Sequence, residues 1–260
     1  IITDSNYGMY KRDLMFSEKV AELSDNTGWP VGIKLSTGKH FGNVMKNCEP
    51  LKDFFEFTMS VQSMNSDVLD AVSRKNIPID KYKQTSIELR EKGRDTLVEL
   101  IFPMPKETLK SFFSGMEELI DMKVARITTN ILMLLEGTIY RDSEYIKEWG
   151  ISSKSRLLSR HAGIYKGEKV FEIDNVGIET KSLSFEDLLE INKFGLIVEM
   201  LFNSRIMREL EHFVEDYDLS YYDYIMIVYN NLDKSPVEVQ EVFDIFIDLR
   251  KKELKNDEND

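Results

Sequence analysis

One cysteine, Cys48, stands in 260 residues, which excludes a disulfide framework and any thiolate cluster built from this chain alone. Histidine is nearly as scarce. His40, His161 and His212 lie far apart with no i, i+4 pairing, so a histidine-based metal site is not expected. Apolar runs such as "ILMLL" and "FGLIVEMLF" fall well short of the roughly twenty residues a bilayer span needs. No signal-peptide pattern opens the sequence, so a cytoplasmic location without a membrane partner is expected. Positive charge is also short, with 34 Lys and Arg against 46 Asp and Glu and a net charge of −12. A field of that sign repels phosphate backbones, and nucleic acid is not expected as a partner.

What is present is a 42% apolar, 31% charged chain, suited to one α/β domain with an appendage or to two small domains. Strand-like runs recur at 1–3, 31–36, 55–61, 96–102 and 126–134, with helical patterns near 11–23, 43–53, 66–74, 80–92 and 107–122. That alternation predicts βαβ units and a parallel sheet. Asn65 or Ser66 can cap one helix, Asp80 after Pro78 the next, and Gly93 can stop it. From 141 to 183 the pattern breaks into turn residues and short alternating runs, an irregular or β-rich connection. Residues 184–254 read as helical, with an apolar stripe through Leu188, Ile191, Phe194, Leu196 and Val198. The closing 255–260 has no apolar anchor and reads as a disordered tail. The opening "IITDSN" starts inside a strand-like run without Met, as expected of a chain cut through a domain.

Polar residues punctuate the strands. In "FEFTMSVQ" the alternation puts Thr58, Ser60 and Gln62 on one face, toward the carboxyl end, where sheets and barrels of this class bind ligands. They can equally satisfy strand-end backbone groups. Glu99 sits mid-strand among Leu97, Val98, Leu100 and Ile101, where a carboxylate costs several kcal/mol unless it is paired or hydrogen-bonded. Either a ligand's hydroxyl pair or a basic side chain would serve. The first strand ends in "TDSNYG", offering Asp4, Ser5 and Asn6 as acceptors, with Gly8 allowing close backbone approach; Asx chemistry at a turn explains such a string as well. Near 130, Thr128, Asn130 and Leu132 share a face.

The ordered set "ITDSNYG", "SVQSMNSDVLDAVSRKNI", "ELIFPMPKETLKSF" and "TNILMLLEGT" resembles the radical S-adenosylmethionine (SAM) superfamily over about residues 1–140. Its second and third stretches are most similar to the cobalamin-binding and anaerobic coproporphyrinogen-oxidase types. "SRLLSRHAGIYKGEKVFE" and "TKSLSFEDLLEINKF" resemble the tail of cobalamin-binding members. The resemblance implies a partial (β/α) TIM-type barrel over 1–140 with a mainly helical C-terminal extension.

Carried over residue by residue, it implies that Gln62 and Arg74 hold the methionine end of SAM and that Glu99, with Ser60 beside it, accepts the ribose hydroxyls. Asp4 or Asn6 would receive the SAM ammonium. Asn130 would line the site, and Leu134, with Leu135, falls where the family stacks or backbone-pairs the adenine. It further implies SAM and a [4Fe–4S] cluster as cofactors, cobalamin in an upstream domain of the cobalamin-binding type, an electron donor such as flavodoxin or ferredoxin, and a small-molecule substrate that the sequence leaves open. Reductive cleavage of SAM to methionine and a 5′-deoxyadenosyl radical is the implied chemistry. Two departures stand out. Where the family has G-L-P-G-E-T, this chain has Pro103 to Thr108 without the first glycine, and the C-x3-C-x2-C that ligates the cluster is absent. The expectation is a carboxyl-terminal part of a longer radical SAM enzyme, inactive alone. Two other classes stay open: a non-catalytic SAM-binding or scaffold module, and an unrelated (β/α) enzyme using Glu99 or Asp4 as acid and base.

Overall fold

The structure, a computed structural model, describes residues 1–37, 41–51, 57–74, 79–91 and 96–256. His40, Pro78, Gly93 and 257–260 of the expected disordered tail lie outside the described residues. The chain is mixed α/β, and it divides into two compact units. One comprises Ile1–Val61, Asn76–Glu99 and Met122–Thr128; the other comprises Gln62–Lys75, Leu100–Asp121 and Thr129–Asp260.

In the first half, strands and helices alternate as the periodicity predicts: β1 (Ile2–Tyr7), α1 (Lys11–Thr27), β2 (Leu35–Thr37), α2 (Phe41–Asn47), β3 (Phe57–Gln62), α3 (Ser66–Ala71), α4 (Ile79–Glu91), β4 (Thr96–Phe102), α5 (Leu109–Asp121) and β5 (Arg126–Ile131). Strands β1 and β2 pair in parallel, and a second sheet has the order β3-β4-β5. Ala125 N–H bonds the Thr96 carbonyl at 3.0 Å, and Leu132 N–H bonds the Phe102 carbonyl at 2.7 Å. Start meets start and end meets end, so β4 and β5 run the same way. β4 alternates buried and half-buried residues throughout, with Thr96, Val98, Leu100 and Phe102 inside and Leu97, Glu99 and Ile101 on the more open face.

In the first unit Val44, Cys48 and Leu51 are wholly buried. Gly8 explains how α2 comes so close to the end of β1: its φ is +86°, and a Cβ there would lie 2.9 Å from Cys48 Sγ and 3.1 Å from Val44 Cα. The expected close approach at Gly8 is thus taken up by the chain's own helix.

In the second half, α6 (Ser143–Trp149) is capped by Asp142, whose carboxylate accepts the Glu144 and Tyr145 N–H groups. The stretch expected to be an irregular or β-rich connection contains a long antiparallel hairpin of β6 (Ser152–Tyr165) and β7 (Glu168–Glu179). It is followed by α7 (Phe185–Val198), α8 (Arg208–Glu215), α9 (Tyr221–Asn230), α10 (Val237–Glu253) and a two-residue β8 (Leu254–Lys255) that pairs with β6. Of the predicted stripe, Leu188, Ile191, Phe194 and Val198 are buried. Phe194 meets Phe113 at 4.9 Å and Tyr229 at 5.5 Å, edge to face in both cases, contacts worth about 1 kcal/mol each beyond the area they bury.

Candidate functional site

On the open face of the β3-β4 pair, Ser60 donates to Glu99 Oε2 at 2.9 Å. The alternation that puts Val61 inside leaves Thr58 and Ser60 on the opposite face, so a hydroxyl and a carboxylate meet across neighbouring strands. Glu99 is half-buried rather than sealed in the core. That lowers the cost of the charge and leaves room for the carboxylate to accept further hydroxyls.

In the other unit, Gln62 and Arg74 are the two ends of a short, tightly specified segment. Gln62 has φ +67°, a left-handed backbone that costs a residue with a Cβ roughly 1–2 kcal/mol. Asn65, not Ser66, caps α3 by accepting the Asp67 N–H at 2.9 Å. The helix ends in a Schellman arrangement, with Ser73 at φ +52° and the Arg74 N–H on the Leu69 carbonyl at 2.8 Å. The backbone therefore sets where the half-buried Arg74 side chain begins. Tyr140 lies close enough to feel that guanidinium: burial raises its phenol above the ordinary value, and Arg74 pulls the other way. The Tyr145 hydroxyl reaches the Ala71 carbonyl at 3.4 Å. The Tyr145 ring meets Tyr140 at 5.8 Å and Trp149 at 6.3 Å, so an aromatic wall stands beside the end of α3.

Asp4 and Asn6 are joined within β1, where the Asn6 N–H donates to Asp4 Oδ1 at 2.8 Å. Asp4 opens into a cleft of about 510 Å³ that it shares with Arg12, Phe16 and Val20. Asn130 is exposed on β5. Leu134 is buried in a cluster with Val68, Met104, Leu132, Tyr145 and Ile151, and its N–H donates to the Asn175 carbonyl of β7 at 2.8 Å. The structure thus brings Ser60 to Glu99 and Asp4 to Asn6, and it ties Gln62 to Arg74 through α3.

Among the described residues no group of three His, Cys, Asp or Glu side chains is placed to hold a metal ion. Cys48, buried under Gly8, is the chain's one cysteine. These residues do not fit a [4Fe–4S] cluster. No described helix is long and apolar enough to cross a membrane.

No family model matches the sequence. It is 26% identical over 224 residues to the cobalamin-dependent radical SAM methyltransferase TokK of Streptomyces tokunonensis, a match covering 82% of this chain and 32% of that protein. It is 24% identical over 226 residues to the 2-(S-pantetheinyl)-carbapenam-3-carboxylate methyltransferase of Streptantibioticus cattleyicolor, covering 85% of this chain and 33% of that protein. The chain is thus similar to two methyltransferases, one of them named as a cobalamin-dependent radical SAM enzyme in agreement with the motif resemblance, and it spans about a third of the length of the relatives it matches.

Proposed function

We propose that this chain binds SAM and orients it for a radical SAM methyltransferase, with the first-half strands arranged as part of a (β/α) barrel of the TIM type. The observation that carries the reading is the Ser60–Glu99 pair on the open face of β3 and β4. A carboxylate beside a hydroxyl, half-shielded at a strand face, suits the vicinal diol of a ribose, since it can accept two hydroxyl hydrogen bonds at once. Hydrogen bonds to a charged acceptor contribute about 1.5–3 kcal/mol each. Arg74 suits the methionine carboxylate because its planar fork donates two parallel hydrogen bonds and keeps its charge at any working pH. In this reading Gln62 adds an amide at the same end, Asp4 or Asn6 receives the ammonium, and Asn130 and the backbone around Leu134 flank the adenine.

When bound, SAM would supply either a methyl group or, on reductive cleavage, a 5′-deoxyadenosyl radical. The residues of this chain would bind SAM, fix the direction of its sulfonium and keep water from it. The cluster, cobalamin, a flavodoxin- or ferredoxin-like electron donor, methyl transfer to a small molecule and a cytoplasmic setting are proposals for the whole protein.

Equilibrium dialysis with adenosine and 2′-deoxyadenosine tests the ribose assignment. The chain should prefer adenosine, and Glu99→Gln should erase most of that preference while leaving the circular dichroism spectrum unchanged. Equal binding of both nucleosides by the unsubstituted chain, or unfolding of the variant, would sink the assignment.

A further inference from the structure

Glu107 belongs to the stretch that departs from the family's G-L-P-G-E-T pattern, and it is 3% exposed. One of its oxygens accepts from Ser63 Oγ at 2.6 Å, and the other accepts from Ser111 Oγ in the first turn of α5. Ser63 is itself buried and directly follows Gln62. Its Oγ accepts the Asn65 N–H at 3.1 Å, and Asn65 in turn caps α3. A relay of side chains therefore runs from the turn after β4 into the turn after β3 and on to the start of the helix that ends at Arg74. Next along the chain, Met64 rests on Gly115 of α5 so closely that a Cβ at Gly115 would lie 2.9 Å from Met64 Cβ. Two consecutive residues of the turn are gripped by independent means.

Stability alone does not explain the carboxylate. A buried ionisable group is seldom more stable than an apolar one of similar volume, and burial raises the carboxyl of Glu107 above its ordinary value despite its hydroxyl donors. What the carboxylate supplies is direction, because two oxygens receiving two hydroxyls fix one turn against another.

We infer that Glu107 is a positioning residue for the methionine end of the SAM site: it locks the turn after β3, and with it the left-handed Gln62 and the start of α3, so that Gln62 and Arg74 are presented in one geometry. This rests on the SAM-binding reading above. It assigns no contact between Glu107 and the ligand.

The test uses the full chain and two ligands, SAM and 5′-methylthioadenosine, which shares the adenosine and lacks the amino acid. Glu107→Ala should weaken SAM about tenfold or more, the scale set by small misplacements of binding groups, and leave methylthioadenosine affinity unchanged. Glu107→Gln, which keeps an acceptor for one hydroxyl, should recover part of the loss. Hydrogen exchange should quicken over 62–74 in Glu107→Ala and stay the same over 96–99. Should Glu107→Ala fail to fold, Gly115→Ala displaces the same turn through Met64 and must give the same split between ligands. Equal losses for both ligands, or unchanged SAM affinity, would overturn the positioning role. Unchanged exchange over 62–74 would overturn it without reference to any ligand. An unsubstituted chain that binds neither ligand would instead remove the SAM reading beneath it.

Discussion

The turn from β3 into α3 and the hairpin of β6 and β7 treat polar and apolar groups in opposite ways. In the turn, Ser63 is buried and bonded to the buried Glu107 of the turn after β4, and Gln62 takes left-handed backbone, as does Lys106 next to Glu107. In the hairpin, left-handed backbone falls on Lys166 and Gly167 at the tip, the ordinary geometry of a two-residue reversal. Toward its tip large apolar residues face solvent, with Ile164 71% and Phe171 50% exposed. Strain and buried polarity persist only where the surroundings over-determine them, and they gather where a chain must present groups in one geometry. The turn is built that way, and the hairpin follows local rules.

Substitutions can break that contrast. Arg74→Ala should have the largest effect, a loss of roughly 2 kcal/mol or about thirtyfold in SAM affinity by titration calorimetry, as for a removed charged hydrogen-bond partner. Unchanged affinity would move the methionine carboxylate elsewhere. Glu99→Gln keeps the shape and removes the charge, so a smaller loss of about 1 kcal/mol in SAM affinity is expected without unfolding.

A pH profile of stability sharpens the picture of the turn. Burial raises Glu107 above the ordinary 4.5, so above that value the unfolded chain releases a proton that the folded chain still holds. Its contribution is therefore fully present below pH 4.5 and is lost as pH rises through the folded value. In denaturant titrations from pH 4 upward, Glu107→Gln should lack that decline. A parallel pair of profiles would mean that the carboxyl is not perturbed. The smallest effects belong to the hairpin, where Ile164→Ser and Phe171→Ser should change stability by no more than about 0.5 kcal/mol.

Much of the first half was legible because its signals are local. "TLVELIF" became β4 residue for residue, and Asn65 capped α3. The face shared by Thr58 and Ser60 followed from strand alternation, which also put the partner of Glu99 within reach. The hairpin was harder to read. Its short alternating runs left an irregular connection open beside a β-rich one, and most residues toward the tip are exposed, so no buried face fixed the bounds or register of its strands. Glu107 escaped notice because its meaning depends on Ser63, 44 residues away, and a motif lacking a glycine reads as damage until its partner is seen. The barrel expected for 1–140 remains a proposal, since the pairings among described residues give separate sheets, β1-β2 and β3-β4-β5. The site residues are likewise a proposal, apart from the contacts the structure shows.

Hydrogen exchange of the full chain with and without saturating SAM tests the central claim most directly. The account predicts added protection over 57–74 and 96–102 and none at the hairpin tip, 163–171. Protection confined to the hairpin, or no change anywhere in the chain, would contradict it.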